Sequence, residues 1–339
     1  MIHNVSIKNL GVIHDFSTDR LSNINLIIGE NGTGKTFLLK SLYASVKTME
    51  QFHRGNNRRS VQDLLAEKLR WTFQTETLGE LVTKGEQDGL SFSLMNDGTD
   101  FSFSFSKSAA VKIANVSSLE EQRASNSIFL PAKEIISLIP VILRSRDVDQ
   151  AFGFDDTYYD LAKALQIKPH RGKNYKTFAD SRLLLQNIVH GKVDYSEENQ
   201  SWYFVNSRNQ KFSIDTTSEG TKKIAILDRL LANGYLSPSS IIFIDEIESA
   251  LHPKAIYDFL DIIEKLAFDM GIQIFIASHS YFVIKKLYLI ALKRKQSVMC
   301  YSMNGNEKAA VSDLRDGMPD NSIIRESVRL YEEEVDQTL

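Results

Sequence analysis

The fold is decided by one stretch of eight residues, Gly29-Glu30-Asn31-Gly32-Thr33-Gly34-Lys35-Thr36, which fits the pattern G-x-x-x-x-G-K-[ST] at every fixed position. A nearly continuous apolar run, residues 24–28, precedes it, and apolar residues recur at helical spacing after Thr36. We therefore predict a strand, a glycine-rich turn and a helix in direct succession. In that arrangement backbone N–H groups converge on phosphate oxygens, Lys35 reaches the β and γ phosphates, and Thr36 ligates Mg²⁺. The alternative is a glycine-rich turn that only joins the strand to the helix.

Polar residues also follow two later apolar runs, at the point where each predicted strand ends. Asp245 and Glu246 come directly after residues 241–244, and His279 follows shortly after residues 274–277. Ligands of open parallel sheets bind at the carboxyl ends of the strands. We therefore expect Asp245 to hold the hydration shell of Mg²⁺, Glu246 to orient or deprotonate an attacking water, and His279 to contact the γ-phosphate. The alternatives are two acids that simply enter solvent, and a histidine that caps a helix or sits in the core.

The remaining patterns divide the chain into an α/β body, an antiparallel β lobe and a helical insert. Between residues 71 and 116, Leu or Phe alternates with Ser before an Asn96-Asp97-Gly98 turn and Phe alternates with Ser after it, which predicts a hairpin lobe. From Lys133 to Gly191 the spacing is helical, with Asp155 or Asp156 as one helix cap. Strands and helices then alternate, as in a parallel sheet. We place the boundaries at residues 1–130 (body and lobe), 131–192 (helical insert) and 193–339 (second part of the body).

Shorter elements follow from apolar spacing and from turn residues. Helices are predicted over residues 61–69, 219–231, 253–269 and 282–292, and a hairpin is predicted over residues 202–205 and 212–214. The acidic run Glu332 to Glu334 is expected to be solvated.

The composition is that of an ordinary folded protein. Of its 339 residues, 42% are hydrophobic and 24% charged, and the net charge of −3 gives no global positive field for nucleic acid or an acidic membrane. The single cysteine, Cys300, cannot form an intrachain disulfide, and no secretory leader pattern opens the sequence. The longest apolar stretch, residues 135–143, contains Ser137 and Pro140 and is far shorter than a membrane span. We expect a cytoplasmic protein that makes no membrane contact.

Other kinds of site have little support. The sequence contains no His-x-x-x-His or Cys-x-x-Cys pair for zinc and no Gly-x-Ser-x-Gly elbow, and Cys300 is expected to be a buried strand residue. Solvated surface is the favoured interpretation of four basic groups, although they also allow a contact with DNA. These groups are Arg54/Arg58/Arg59, Arg144/Arg146, His170/Arg171/Lys173 and Lys293/Arg294/Lys295.

With the motifs above, three further segments carry a family resemblance. They are Thr217-Ser218-Glu219-Gly220-Thr221-Lys222-Lys223, here called the signature segment, Ser249-Ala250-Leu251-His252, and the tripeptide Ser278-His279-Ser280. In this order the motifs resemble those of ATP-binding-cassette (ABC) ATPases of the soluble branch that includes RecF, the SMC proteins and the overcoming-lysogenization-defect (OLD) family. The strings SEGTKK, DEIESALHP and ASHS are most similar to those of OLD-like stand-alone ATPases. The resemblance covers nearly the whole chain.

The resemblance implies a P-loop NTPase fold, an ABC-type head with an antiparallel β lobe and a helical insert. It implies ATP and Mg²⁺ as ligands and a homodimer or higher oligomer whose heads are bridged by ATP. Ser249 to His252 would be the D-loop and His279 the switch histidine. The residues that it assigns are Lys35, Glu246 and His279 to catalysis, Gly29, Glu30, Asn31, Gly32, Thr33, Gly34, Lys35, Thr36, Ser218 and Gly220 to ATP, and Thr36 and Asp245 to the metal.

The biological setting that the resemblance implies is defence against phage or mobile DNA, with a separate effector protein that is a nuclease or a toxin. A RecF-like ATPase of DNA repair is the first alternative. A nucleotide-binding subunit of a membrane transporter and a small-molecule kinase are weaker alternatives, because the signature segment and the pair of acids fit neither well.

Three departures from the family pattern limit the assignment. Lys133 and Glu134 lie where the family has its Q-loop, but the glutamine is missing. No Asp-x-Asp pair follows His279, and Asp147-Val148-Asp149 lies in the helical insert, so we predict no nuclease site. The helical insert in the middle of the chain is short and contains Pro169 and Gly172, so we predict no coiled-coil arm.

Overall fold

A computed structural model describes residues 1–56, 58–168, 176–196, 198–199, 201–305 and 308–338. The strands in these residues are β1 (Ile2–Leu10), β2 (Ile13–Thr18), β3 (Ile24–Gly29), β4 (Leu90–Asn96), β5 (Thr99–Phe105), β6 (Asn115–Val116), β7 (Ser127–Leu130), β8 (Gly191–Ser196), β9 (Ser201–Asn206), β10 (Lys211–Ser213), β11 (Ile241–Asp245), β12 (Gln273–Ser278), β13 (Val298–Met303) and β14 (Ala310–Asp313). The α-helices are α1 (Lys35–Gln51), α2 (Val61–Phe73), α3 (Ile139–Asp147), α4 (Asp156–Gln166), α5 (Lys176–Val189), α6 (Glu219–Ala232), α7 (Pro253–Phe268), α8 (Tyr281–Arg294) and α9 (Ser322–Thr338).

A mixed sheet in the order β14-β13-β3-β12-β11-β7 forms the centre of the described chain. Its strands are parallel except for β14, which pairs antiparallel with β13. All residues of β3 and β12 are buried, because helices cover both faces of a parallel sheet. The α/β fold predicted from the sequence is therefore confirmed, and β3, the phosphate loop and α1 follow one another as expected.

Side chains of the central sheet pack into two hydrophobic cores, one on each face of the sheet. Ile28, Ile244 and Ile276 belong to one core, while Phe243 and Phe275 belong to the other. The two phenylalanine rings stack with centroids 5.2 Å apart. Truncating a buried phenylalanine to alanine costs about 3–5 kcal/mol in typical cores, so this aromatic layer fixes α1 against the sheet.

The second sheet, in the order β2-β1-β4-β5-β6, contains the predicted antiparallel hairpin as β4 and β5 and adds β1 and β2 from the start of the chain. Its Phe residues point inward, and Phe92 stacks on Phe103 with centroids 4.8 Å apart. Asp97 and Gly98 both have positive φ, 51° and 83°, as a tight two-residue hairpin turn requires. The predicted start at Trp71 is wrong, because α2 continues to Phe73 and β4 begins only at Leu90.

The helical insert contains α3, α4 and α5, with Asp155 as the cap of α4. Asp155 accepts a hydrogen bond from the backbone N–H of Thr157 at 2.8 Å. Gly191 was expected to end the last helix. Instead His190 takes the left-handed conformation, and Gly191 opens β8, which pairs with β9. The domain boundaries at residues 130 and 192 stay a prediction.

The predicted hairpin of residues 202–205 and 212–214 is present as β9 and β10, in a small sheet ordered β10-β9-β8. Some residues named from the sequence lie outside the described residues: the basic group His170/Arg171/Lys173, together with Pro169 and Gly172. No helix in the described ranges is both long enough and apolar enough to cross a membrane.

Candidate functional site

The phosphate loop has a backbone that only glycine adopts readily at several positions. Gly29, Gly32 and Gly34 have φ values of 152°, 81° and 97°. A Cβ on Gly29 would lie 2.5 Å from the backbone oxygen of Met303, and one on Gly34 would lie 3.0 Å from side chains of Val12 and Ile13. The loop is thus held by β13 on one side and by the β lobe on the other. Gly34 caps α1 without any side-chain hydrogen bond, so the first N–H groups of the helix have no side-chain partner at the cap.

Lys35 is folded back over this loop. Its Nζ donates hydrogen bonds to the backbone oxygens of Gly29 at 2.9 Å and Glu30 at 2.8 Å. Burial lowers the pKa of Lys35, while Asp245, Glu246 and Glu248 act in the opposite direction. The ammonium is therefore held between loop carbonyls and a group of carboxylates at the same edge of the sheet.

Thr36 and Asp245 meet although 209 positions separate them in the sequence. The Thr36 hydroxyl lies 3.1 Å and 3.0 Å from the two carboxylate oxygens of Asp245. Burial raises the pKa of Asp245, and the hydrogen bond from Thr36 partly offsets that effect. A hydroxyl and a carboxylate at this distance are hard oxygen donors of the kind that Mg²⁺ prefers.

Glu246 follows directly, at the end of β11. Its backbone takes a positive φ of 46°, which turns the chain out of the sheet. Its N–H donates to the oxygen of Ala277 in β12 at 3.0 Å, and its carbonyl accepts a hydrogen bond from Lys223 at 2.6 Å. The backbone of Glu246 is thus fixed from two sides.

His279 lies at the carboxyl end of β12 and is half exposed. Glu248 holds this turn: its Oε1 accepts hydrogen bonds from the Ser278 hydroxyl at 2.9 Å and from the His279 N–H at 3.1 Å. The same oxygen lies 3.5 Å from His279 Nδ1. Sequence analysis did not single out Glu248. The available signal was a third carboxylate two positions after Glu246.

Within the signature segment, Ser218 and Gly220 are placed at the start of α6. Ser218 caps the helix and accepts a hydrogen bond from the Thr221 N–H at 3.3 Å. A Cβ on Gly220 would lie 2.6 Å from the backbone oxygen of Ala250, so the helix start touches the predicted D-loop. The hydrogen bonds of the Ser218 hydroxyl are to Thr221 of its own helix, and Gly220 packs on Ala250 rather than on the phosphate loop.

Two buried lysines continue the signature segment, and sequence analysis gave neither of them a role. Lys223 donates to the backbone oxygens of Glu246 and Ala132, and burial lowers its pKa to about 8. Lys222 instead pairs with Glu134 at 3.2 Å and donates to the Ser137 hydroxyl at 2.8 Å. Glu134 is therefore an ion-pair partner of Lys222 in α6. No pattern in the sequence shows these contacts, because they join segments 23 to 91 positions apart.

Three residues that the sequence analysis set aside, Asp147, Asp149 and Cys300, make none of the site contacts described above. Asp147 accepts a hydrogen bond from the Tyr159 hydroxyl and lies 3.8 Å from Lys163, and Asp149 lies 3.7 Å from Arg144. Cys300 is fully buried in β13, as expected, and burial raises the pKa of its thiol to about 12. A thiol with that pKa is a poor nucleophile at neutral pH.

Comparison with known proteins places these features in a family. Residues 24–285 match the family model described as "AAA domain, putative AbiEii toxin, Type IV TA system". The DNA replication and repair protein RecF of Bacillus cytotoxicus is 28% identical over 208 residues, which are 56% of this chain and 50% of that protein. The chain therefore spans about half the length of this curated relative.

The fold is shared with a solved structure of an SMC head. An SMC head bound to the C-winged helix domain of ScpA aligns with a TM-score of 0.55 and 13% identity, over 93% of this chain and 98% of that chain. The SMC head domain from Thermotoga maritima aligns with a TM-score of 0.47 and 11% identity, over 92% and 98% of the two chains. The family model runs from β3 into α8 and includes the phosphate loop, the two acids at the end of β11 and His279. The chain therefore belongs to the AAA-domain family of that description, as a P-loop ATPase.

Proposed function

We propose that the chain binds ATP with Mg²⁺ at the phosphate loop and hydrolyses it in a site that the signature segment of a second copy completes. One observation carries the proposal furthest: the Thr36 hydroxyl and the Asp245 carboxylate lie 3.0 Å apart beside the loop that holds Lys35. Mg²⁺ in phosphate-transfer sites takes one or two protein oxygens and leaves its other positions to water and phosphate. The residues present fit that ligand set.

The phosphate loop supplies the nucleotide contacts. We assign them to Gly29, Glu30, Asn31, Gly32, Thr33, Gly34, Lys35 and Thr36. Lys35 already lies in the loop, and a phosphate oxygen can replace one of the carbonyls to which it donates. The N-terminus of α1 directs its positive end at the same place. When bound, Mg²⁺ supplies positive charge that offsets the charge developing on the phosphate oxygens.

Two residues at the carboxyl edge of the sheet act on the reacting groups. Glu246 accepts the proton of the attacking water, since it directly follows the metal-holding Asp245. His279 contacts the γ-phosphate, with Glu248 fixing the turn on which it stands. The water is thereby oriented between a proton acceptor and the bound nucleotide.

The signature segment of one copy contacts the nucleotide that the second copy holds. Ser218 and the N–H of Gly220 lie at the positive end of α6, which is an anion-binding position. Two heads placed face to face would each offer this end to the γ-phosphate held by the other. ATP is then bound between the copies, and loss of the γ-phosphate separates them because the two states differ in affinity.

The dimer cycle controls a separate effector, which we propose to be a nuclease or a toxin acting in defence against phage or mobile DNA. The family description, which names a toxin and a type IV toxin–antitoxin system, supports such a setting. The similarity of SEGTKK and DEIESALHP to OLD-like sequences supports it independently.

A RecF-like role on DNA is the second candidate, and the RecF similarity favours it. The described basic groups favour it less, because acidic or amide partners hold several of them. Arg54 donates to Asn126 at 3.0 Å, Arg146 lies 3.5 Å from Asp156, and Arg294 binds Asp269 at 2.9 Å. Binding to a DNA duplex whose affinity falls steeply with salt, and which is lost in an Arg58→Ala/Arg59→Ala variant, would make this candidate the better one.

Glu246→Gln tests the proposed chemistry. The substitution removes the proton acceptor but leaves the loop, Thr36 and Asp245 in place. We expect ATP hydrolysis to fall by about 10²–10⁴-fold while ATP binding, measured by calorimetry, is retained. Asp258→Asn, at an exposed ion pair of α7, is the matched control and should hydrolyse ATP normally. Normal hydrolysis by the Glu246→Gln variant would show that another residue takes the proton.

A further inference from the structure

Helix α9 contacts the rest of the protein, but none of its residues is buried. It covers Ser322–Thr338, 17 residues. Only Ile323 and Ile324, near its start, pack on the core. Further along, Val328 and Tyr331 are 50% and 66% exposed. A helix of this length gains little from propensity alone, and beyond Ile324 none of its apolar residues packs on either core.

The apolar residues of α9 follow a heptad spacing. Ile324, Val328, Tyr331 and Val335 are separated by four, three and four positions, which places them on one face of the helix. We call these four residues the α9 seam. An a/d seam of this kind is the pattern by which one helix packs on another. Leu330, also exposed, lies off this face.

The charges of α9 differ between its two halves. Residues 322–329 contain Arg325, Arg329 and Glu326, a net charge of +1, whereas residues 330–338 contain Glu332, Glu333, Glu334 and Asp336, a net charge of −4. Acids in the last turns of a helix face the negative end of its dipole and destabilise it. A partner that brings positive charge to this half therefore stabilises the helix.

We propose that the α9 seam is an interface with a second copy of this chain, packed antiparallel. In that alignment Val328 packs against the partner's Tyr331, the part of Ile324 that the core leaves exposed packs against the partner's Val335, and Arg325 lies beside the partner's Glu332. The two-fold axis repeats each contact, so the basic half of each helix meets the acidic half of the other. A parallel pair would instead place eight acids together and is disfavoured.

This contact is distinct from the ATP-bridged contact and does not rest on the proposed ATPase mechanism. A pair of helices this short buries less surface than the roughly 1,200–2,000 Å² of a stable complex. The dimer should therefore be weak and concentration-dependent. The ion pairs that α9 makes now do not oppose it, since Arg325 with Asp320, and Arg329 with Glu326 and Glu333, are exposed and exchange easily.

Sedimentation equilibrium of the full chain without nucleotide, at about 100 µM and low salt, tests the proposal. We expect a concentration-dependent mass that approaches twice 38.5 kDa. The variant Val328→Glu/Tyr331→Glu should remain at the mass of one chain, because two carboxylates in each seam would face each other. Leu330→Glu is the control, exposed to 63% but off the seam, and should still dimerise. Circular dichroism should show that all three proteins are folded.

A charge reversal tests the antiparallel orientation. Arg325→Glu alone and Glu332→Arg alone should each raise the dimer Kd about tenfold or more, and the double variant should restore it to within about threefold. A wild-type chain that stays monomeric up to about 100 µM, or a dimer that survives Val328→Glu/Tyr331→Glu, overturns the interface. Failure of the double variant to recover overturns the antiparallel alignment.

Discussion

Lys223 links two parts of the site that the proposed mechanism uses in different copies. It belongs to α6, whose N-terminus faces the partner's nucleotide in the proposed dimer. Its Nζ nevertheless donates a hydrogen bond to the carbonyl oxygen of Glu246 in its own chain, at 2.6 Å. A movement of α6 on engagement of the partner would therefore reach the backbone of Glu246, the proposed proton acceptor. Lys222 is the natural comparison, since it is equally buried but binds Glu134.

Lys223→Met is expected to reduce kcat by about 10-fold or more and to leave the KM for ATP within about 3-fold, because Lys223 donates its hydrogen bonds to Glu246 and Ala132, which lie outside the phosphate loop. Lys222→Met is the control for loss of a buried ammonium from the same helix. Steady-state kinetics of both variants give the comparison. Equal effects of the two substitutions on kcat would mean that the role of Lys223 is only to stabilise the helix.

The lowered pKa of Lys223 has a consequence for stability. The folded chain releases this proton at about pH 8, whereas the unfolded chain holds it up to its ordinary pKa of 10.5. Between these values the unfolded state binds more protons, so Lys223 adds stability as the pH rises. The free-energy difference between the wild-type and Lys223→Met chains, from urea unfolding, should therefore shift in favour of the wild type from pH 8 to pH 10.

Glu248 is the second residue that only the structure brought out. Glu248→Gln keeps the shape but weakens the acceptor for the Ser278 hydroxyl and the His279 N–H. We expect hydrolysis to fall by about 10-fold while ATP binding persists, since a neutral acceptor forms a weaker hydrogen bond than a charged one. His279→Ala combined with Glu248→Gln should add little further loss. If the two losses multiply instead, Glu248 does not act through His279.

Among the secondary-structure elements, those with a local signal were predictable from sequence. In residues 24–51, glycines at positive φ mark the loop, and helical spacing of the apolar residues marks the helix that begins at Lys35. Helix α6 begins after a serine cap, and the β4–β5 hairpin has a turn of two residues with positive φ. In each case residues close in sequence determine the structure.

The strands that sequence reasoning missed are short and are defined by their pairing. In β8, Val193 and Tyr195 alternate with Lys192, Asp194 and Ser196, a signal too short to be separated from the preceding helix before its pairing with β9 is seen. Strand β7 has four residues and is defined by its pairing with β11. The site contacts of Glu248 and Lys223 likewise join segments that only the folded chain brings together.

Gly220→Ala tests the packing of α6 on the predicted D-loop. Alanine usually stabilises a helix relative to glycine by about 0.5–1 kcal/mol. Here the new methyl group would meet the backbone oxygen of Ala250 at 2.6 Å, so the loop has to move. We expect ATP hydrolysis to fall at least about 10-fold with the fold retained. Glu219→Ala, one position earlier and exposed, is the control and should stay active. An active Gly220→Ala chain would show that the loop position is not critical.

For the whole molecule, the central claim is that two chains share each ATP. One chain contains both the phosphate loop and the signature segment, but Ser218 and Gly220 contact α6 and Ala250 of their own chain rather than the phosphate loop. The α9 seam, if it pairs, adds a second two-fold contact that does not require ATP.

Mixing two inactive variants tests the claim most directly. Lys35→Ala removes the phosphate contact of its own loop, and Ser218→Arg blocks the γ-phosphate position of the partner, so neither protein alone should hydrolyse ATP. In an equal mixture with free exchange, half of the dimers contain one intact site, and activity should recover to at most about one quarter of wild type. If the mixture stays inactive and shows no ATP-dependent dimer by light scattering, while Ser218→Arg still binds ATP, the shared site is contradicted.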